Sequence, residues 1–427
     1  MPYDFEDGFN QKLKKILGTS LPKKIIIAVS GGTDSMALLC LSNKFCQKNN
    51  IDLIAITVDH KTREDSAMEA KFVTKACQKY KIHHRILENN FVIPTSNIES
   101  NLREIRYKLL LDFAKEHDIK NILIAHHQQD VAENFLIRLF RGSGIDGLSS
   151  IEEFTIFKNT NFIRPLLDFT KDQLKKYLQI NNITHVEDPS NQDQKFLRNK
   201  IRTFLNNLED KEIVSQRISR ASKNILENRK IIESLIKEKS KEIYEFNDLG
   251  YFLLKKQNFK NLNKELSFRY LNLIINYFNG KFYKSRLKKI DTLYGWLLFG
   301  QEHKAKNFNG AIVENFNEES FIIYREKSKI ESQKITEHSF VWDNRFQVNI
   351  NKNLNLKNLK ITTLDAKELN VLLKDKKNLQ YKNIKIPLKK VLYTIPVIKK
   401  GDNIFAIYFL KNSSEIKIDI IDSNFYL

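Results

Sequence analysis

Four apolar runs stand out in the first third of the chain, at 25–29, 53–58, 84–87 and 121–125. Each reads as a buried strand, and the segments between them place apolar residues at helical spacing. Strands that alternate with helices predict an α/β fold, a parallel doubly wound sheet covered by helices on both faces. In such a sheet ligands lie in the crevice beyond the carboxyl ends of the strands. Three polar clusters follow strands and so share that edge: "SGGTDS" at 30–35, "VDHKTR" at 58–63 and "AHHQQDVAEN" at 125–134.

Near Arg217 the pattern changes. Ile218, Ala221, Ile225, Ile232, Leu235 and Ile236 recur at helical spacing with charges between them, which predicts a long amphipathic helix leaving the first domain. Aromatic-rich helical segments continue to about Arg325, and from about Phe340 apolar residues alternate as in strands ("IFAIYFL", "EIKIDIID"). The expected organisation is an α/β domain over 1–215, a mostly helical domain over 216–330 and a small mixed α/β domain over 340–427.

Length adds that 427 residues suffice for several separate cores. No apolar run approaches the roughly 18 residues of a membrane span, and the acidic segment "MPYDFEDGFN" is unlike a secretory signal. A cytoplasmic protein with no membrane partner is expected. Cys40, Cys46 and Cys77 show neither C-x-x-C nor Cys/His ligand spacing, so they read as reduced structural thiols. The net charge of +20 is unevenly divided: residues 1–215 hold 31 Lys and Arg against 28 Asp and Glu, and residues 216–427 hold 40 against 23. The basic surplus lies C-terminal, where it suits nucleic-acid phosphates. Lysines that merely solvate helices in a Lys-, Asn- and Ile-rich chain account for the same numbers.

The hexapeptide at 30–35 carries the most specific chemistry. Gly31 and Gly32 let the backbone turn tightly after a strand and approach an anion, while the following helix N-terminus offers unpaired N–H groups. Ser30 and Ser35 add hydroxyl donors. The Walker pattern is absent because its lysine is missing. Asp34 would be repelled by phosphate unless a divalent cation lay between them, which predicts Mg²⁺. An ordinary strand-to-helix turn with an Asp in the first helical turn is the plainer alternative. Elsewhere, Arg103, Arg106 and Tyr107 share one helix face, and paired guanidinium groups there suit polyphosphate or RNA backbone. Asp130 and Glu133 are three apart at a helix start, able to hold a metal, orient an amine or accept its proton. The same spacing also occurs on solvent-facing first turns.

SGGTDS after an apolar strand resembles the pyrophosphate loop of the N-type ATP pyrophosphatases, which cleave ATP to AMP and pyrophosphate while adenylating an oxygen of their substrate. The loop leaves the substrate open among GMP, NAD and asparagine synthetases, tRNA-thiolating enzymes and tRNA(Ile)-lysidine synthases. "RPLL" at 164–167, "DPSN" at 188–191 and "RNKIR" at 198–202 make residues 23–205 similar to the tRNA(Ile)-lysidine synthase family, and the similarity thins through "FNGAIVENFNEESFIIYRE" at 308–326.

The resemblance implies a ligase that forms a C–N bond. ATP adenylates O2 of the wobble cytidine in an isoleucine tRNA with a CAU anticodon; the side-chain amine of free L-lysine then attacks C2 and AMP leaves. It implies that Ser30, Gly31, Gly32, Thr33, Asp34 and Ser35 hold ATP, with Mg²⁺ on Asp34 and Asp130 as a second candidate ligand. Asp34, Arg106, Asp130 and Glu133 would be catalytic. His60, Arg63, Arg103, Arg141, Arg198 and Arg202 would contact tRNA or lysine, and a homodimer is a candidate assembly. Where the family has H-x-D-D-x-x-E-T, this chain has Gln129-Asp130 and ends the motif with Asn134, so the weight falls on Asp130. A tRNA-thiolating enzyme and a non-catalytic RNA-binding protein stay open as alternatives; thiolation usually needs a reactive cysteine or a cysteine-bound cluster.

Overall fold

In a computed structural model the chain is described over residues 5–61, 66–89, 91, 98–157, 159–186, 197–279, 287–300, 304–374, 389–410 and 413–421. Its contacts divide it into two compact units, Met1–Lys230 and Ile231–Leu427.

The first unit opens with α1 (Phe5–Leu17), β1 (Lys24–Ala28), α2 (Thr33–Lys48), β2 (Asp52–Asp59), α3 (Ser66–Lys79) and β3 (His83–Glu88). It continues through α4 (Ile98–Glu116), β4 (Asn121–Leu123), α5 (Gln128–Phe140), α6 (Ile145–Leu148), β5 (Phe154–Phe157) and β6 (Thr160–Ile163). α7 (Lys171–Ile180) and α8 (Leu197–Asn206) follow, then α9 (Lys211–Ile243). The four strands expected from the apolar runs are β1 to β4, each within two residues of its expected ends.

The sheet order is β3-β2-β1-β4-β6-β5. All neighbours pair in parallel except β5, which forms an antiparallel hairpin with β6. Successive residues of β1 point to opposite faces. Ile25 and Ile27 enter one core with Phe9 and Leu13 of α1, Leu38 and Leu41 of α2 and Leu174 and Leu178 of α7. Ile26 enters the other with Leu110 and Ala114 of α4 and Ile122 of β4. The chain builds outward from β1 to β3 and then returns to β4 on the other side of β1. β1 and β4 therefore flank the point where strand order reverses, and the loops after them open into the crevice where such sheets bind ligands.

The second unit begins with β7 (Tyr244–Asn247), β8 (Tyr251–Lys255), α10 (Lys256–Lys260), α11 (Lys264–Asn279), α12 (Leu287–Phe299), β9 (Lys306–Phe308), β10 (Ala311–Asn315) and β11 (Ser320–Arg325). Helices dominate this stretch, as expected, but it also holds an antiparallel sheet ordered β7-β8-β11-β10-β9. Its central strand β11 is buried along its whole length. A short, doubly buried apolar run of that kind has no alternation to separate it from a helix segment, which is why the sequence reading missed it. The remainder comprises β12 (Gln333–Lys334), β13 (Ser339–Trp342), β14 (Phe346–Ile350), β15 (Leu359–Thr362), α13 (Ala366–Lys374), α14 (Lys389–Leu392), β16 (Val397–Lys400), β17 (Asn403–Ile407) and β18 (Ile416–Ile420). These strands form a four-stranded and a three-stranded sheet. No helix among the described residues is long and apolar enough to cross a membrane.

One buried charge cluster pins this second unit. Asp343 accepts hydrogen bonds from Nε and Nη2 of Arg325 at 3.0 and 2.8 Å and from Nε of Arg345 at 2.7 Å. Arg345 is fully buried and also donates to the carbonyl of Thr394 at 2.6 Å. Removing the shared carboxylate strands two buried cations. Asp343→Ala is expected to cost about 3–5 kcal/mol of this unit's stability, measured by chemical denaturation; a loss under about 1 kcal/mol would show that the cluster is solvated.

Candidate active site

Just past β1, Val29 donates its N–H to the carbonyl of Ile56 at 2.8 Å. Two residues on, Gly31 takes φ +88°. A Cβ there would meet Val73, Phe72 and Val186 at 3.4, 3.6 and 3.8 Å, so it is the left-handed backbone, rather than lack of space, that calls for glycine. Gly32 caps α2. Ser35 Oγ donates to the carbonyl of Gly32 at 3.0 Å and accepts the N–H of Ser30 at 3.2 Å, closing residues 30–35 into a compact loop over the first turn of α2. Thr33 and Ser35 are buried.

Asp34 projects from that turn. Its Oδ2 lies 3.4 Å from Nε2 of His127, while its Oδ1 is buried with no hydrogen-bond partner. His127 precedes α5, across the switch point. Its Nδ1 accepts the N–H of Gln129 at 3.2 Å, and its own N–H donates to Oδ2 of Asp130 at 2.9 Å, a reciprocal cap. Burial opposes the imidazolium, but the Asp130 and Asp34 carboxylates outweigh it and raise the His127 pKa. With Nδ1 accepting, the proton of the neutral ring sits on Nε2, facing Asp34 and Asp130.

Asp130 and Glu133 point together, and two arginines of α8 grip them. Arg198 donates Nη2 to Asp130 Oδ1 at 2.6 Å and Nε to Glu133 Oε2 at 2.8 Å; Arg202 donates Nε to Glu133 Oε1 at 2.7 Å. Both oxygens of each carboxylate are thus engaged. Burial alone would raise the Asp130 pKa, but His127 and Arg198 reverse this and hold it well below the usual carboxylate range. Two carboxylates against two guanidinium groups leave the cluster close to neutral.

A second set of groups faces this one from α4 and the end of β2. Arg106 lies within electrostatic reach of Asp130, Arg198 and His60 and has no hydrogen-bond partner among the described residues. His60 Nδ1 is buried without a partner, and the buried Tyr107 hydroxyl faces Arg164. Burial, joined by the Arg106 charge, lowers the His60 pKa. Arg103 is exposed, its guanidinium 5.6 Å from the Tyr107 ring.

The sequence-predicted loop 30–35, His60, Arg106, Asp130, Glu133, Arg198 and Arg202 therefore converge on one sheet edge. Arg103 stands at its rim. Arg141 is exposed at the opposite end of α5 from Asp130. Arg63 and the "DPSN" segment lie outside the described residues. Sequence reasoning did not foresee His127 as both cap and Asp34 partner, although a polar residue three before an Asp at a helix start is a recognisable cap signal. It also missed Arg164, a buried side chain whose Nε donates to Nδ1 of His126 at 3.2 Å and whose Nη1 donates to the Glu152 carbonyl at 2.9 Å.

Burial, with Arg164 adding to it and Asp130 opposing, holds His126 well below its ordinary value. A histidine neutral when folded and protonated when unfolded removes stability as pH falls below its unfolded pKa. His126 therefore removes stability below about pH 6.5 where His127, its pKa raised, adds it, and His126→Gln is expected to lose less stability on acidification than the wild type. Equal slopes in thermal melts across pH 7 to 5 would refute this.

Two further features bear on cofactors and cysteine chemistry. Among the described residues no group of three or more His, Cys, Asp or Glu converges to enclose a metal. A single carboxylate with an open buried oxygen, beside a glycine turn at a helix N-terminus, fits Mg²⁺, which takes one or two carboxylates and completes its shell with other oxygen ligands and water. All three cysteines are free and buried, and burial pushes the thiol of Cys40 up to about 11 and those of Cys46 and Cys77 up to about 12.

A PP-loop domain model matches residues 5–209. The tRNA(Ile)-lysidine synthase of Orientia tsutsugamushi (strain Boryong) is 32% identical over 403 residues, spanning 92% of this chain and 90% of that protein. That of Wolbachia pipientis wMel is 30% identical over 410 residues, 93% of this chain and 92% of its own. That of Rickettsia felis is 33% identical over 412 residues, 94% and 93%. Among solved structures, the U34-tRNA thiolase NcsA from Methanococcus maripaludis aligns with TM-score 0.45 at 22% identity, covering 52% of this chain and 79% of that one.

Proposed function

We propose, from the premise that the chain belongs to the tRNA(Ile)-lysidine synthase family, that it joins lysine to C2 of the wobble cytidine in a CAU-anticodon isoleucine tRNA, with ATP cleaved to AMP and pyrophosphate. The observation that carries this reading is the buried, partnerless oxygen of Asp34 beside the 30–35 loop, set across the switch point from Asp130 and Glu133.

The chemistry follows the charges. A cytosine carbonyl is a poor electrophile until its oxygen becomes a leaving group. Cytosine O2 attacks the α-phosphorus of ATP, a P–O bond forms, and the bond to pyrophosphate breaks. Backbone N–H groups of the 30–35 loop and the α2 N-terminus cradle the phosphates, and Asp34 would hold Mg²⁺, which offsets charge on the leaving pyrophosphate. Arg106, with no hydrogen-bond partner among the described residues, is placed to counter charge on the reacting phosphate.

Lysine then attacks C2 through its side-chain amine, AMP departs, and the amine loses a proton. Asp130 and Glu133 supply the negative charge that attracts an ammonium, and Glu133 is the carboxylate placed to accept its proton, Asp130 being held too acidic by His127 and Arg198. Their oxygens already accept from Arg198 and Arg202, so the ammonium takes its place by exchanging with one guanidinium; both arginine side chains are about a quarter exposed and have room to leave. Arg198 and Arg202 act in this reading as placeholders for substrate charge as well as structural clamps. The three cysteine thiols, buried and held protonated, are poor candidates for sulfur transfer. The basic residues 216–427 are proposed to hold the tRNA body, and the reaction to take place in the cytoplasm.

The test is incubation of the protein with ATP, Mg²⁺, radiolabelled lysine and transcripts of isoleucine tRNA bearing CAU, beside a methionine tRNA control. Label fixed only in the isoleucine transcript is the expected result. Pyrophosphate release without label in RNA would contradict the lysine acceptor reading.

A further inference from the structure

We infer that the shared C-terminal end of α5 and α8 is a stacking platform for unpaired bases flanking the target cytidine. This rests on the proposed tRNA reading and adds to it a surface with named contacts. Phe140 is 65% exposed and Phe204 is 52% exposed, and Leu139 at the end of α5 and Ile145 at the start of α6 are exposed as well. Large apolar side chains gathered in that way mark an interaction surface.

The two helices hold the acidic pair and its arginines, and they run in the same sense. Arg198 reaches Asp130 and Arg202 reaches Glu133, and farther along Leu136 packs with Ile201 and Leu205. Phe140 lies one turn beyond Leu136, and Phe204 one residue before Leu205, so both rings are carried by the C-terminal turns of two helices packed side by side. The start of α9 joins this cluster through Val214 and Ile218. Exposed Arg141 follows Phe140, and exposed Arg217 projects from α9.

Aromatic faces among guanidinium groups fit an RNA loop better than an apolar protein surface. Every base offers a π face to a phenyl ring, and the arginines meet the phosphates between bases. Spacing agrees. From Asp130 to Phe140 is ten helical residues, about 15 Å at 1.5 Å each. A stacked strand advances about 3.4 Å per nucleotide, so the platform lies about four stacked nucleotides from the reacting base, or fewer if the strand is extended. That reach falls within the loop that carries the target.

The experiment uses the full chain and an isoleucine anticodon stem-loop carrying 2-aminopurine at each unpaired position flanking the target in turn. Wild-type protein is expected to quench one or two positions by stacking. Phe140→Ala and Phe204→Ala should each abolish that quench and weaken binding about tenfold, while Phe140→Trp retains both. The ATP sites are untouched in all three variants. Quenching and affinity unchanged in both alanine variants, in a protein whose wild type modifies the stem-loop, would overturn the platform alone. A drop from dimer to monomer in sedimentation with RNA binding intact would overturn it in favour of contact between copies. A wild type that neither binds nor modifies the stem-loop would remove the underlying tRNA reading as well.

Discussion

Asp34→Asn is expected to slow pyrophosphate release by about a thousandfold while leaving the fold intact. The side chain sits in the first turn of α2, half-exposed, with one oxygen near His127 and the other buried and unpartnered. Neither oxygen supports the packing of α2, whose buried face is built from Met36, Leu38, Leu39 and Leu41. Stability should therefore change by less than about 1 kcal/mol. The amide keeps the shape and removes the charge that a divalent cation between carboxylate and phosphates requires. Pyrophosphate release in the presence of isoleucine tRNA, followed together with a thermal melt, checks both halves. A variant within tenfold of wild type would show that the loop works without a metal on Asp34.

Glu133→Gln is expected to separate the two half-reactions. Glu133 is 2% exposed and receives both Arg198 and Arg202, so an amide there sets an N–H group against a guanidinium. The first unit should lose about 3 kcal/mol or more. Because the proposed role of Glu133 is toward the lysine amine, adenylation should persist within about tenfold while lysine transfer falls a hundredfold or more. Pyrophosphate and labelled RNA measured on the same sample supply the internal control, since a protein that still releases pyrophosphate is folded. An equal fall in both products would place Glu133 in the adenylation step instead.

How much of this was legible beforehand depends on the range of the interactions involved. The strands, the Gly31 turn and the three polar clusters at one sheet edge are local signals, set by apolar runs and by backbone needs, and the sheet topology then brings the clusters together. The Asp130 and Glu133 pair was visible as an i, i+3 spacing on a helix. That Arg198 and Arg202, some 65 residues farther along the chain, would neutralise that pair was not, because nothing in residues 197–206 by themselves says which carboxylates they meet. The sheet ordered β7-β8-β11-β10-β9 was hidden for a related reason. Its strands find their partners across α10, α11 and α12, and β11 has no polar face to betray its period.

The departure of Gln129 and Asn134 from the family motif is accommodated simply. Gln129 offers its backbone N–H to His127 while its side-chain oxygen is buried without a hydrogen-bond partner, so only the backbone role is kept there; Asn134 accepts from Nε of Arg138 at 3.3 Å. The cap and the acidic pair stand without a second adjacent aspartate.

Lysine, and no other group, is expected on the wobble cytidine of the reacted tRNA. Nuclease digestion of the reacted isoleucine tRNA and mass measurement of the released nucleosides tests it directly. The expected product is a cytidine heavier by one lysine less one water, formed only when ATP and lysine are both supplied. A nucleoside heavier by the exchange of oxygen for sulfur, or an unaltered cytidine beside continuing pyrophosphate release, would contradict it.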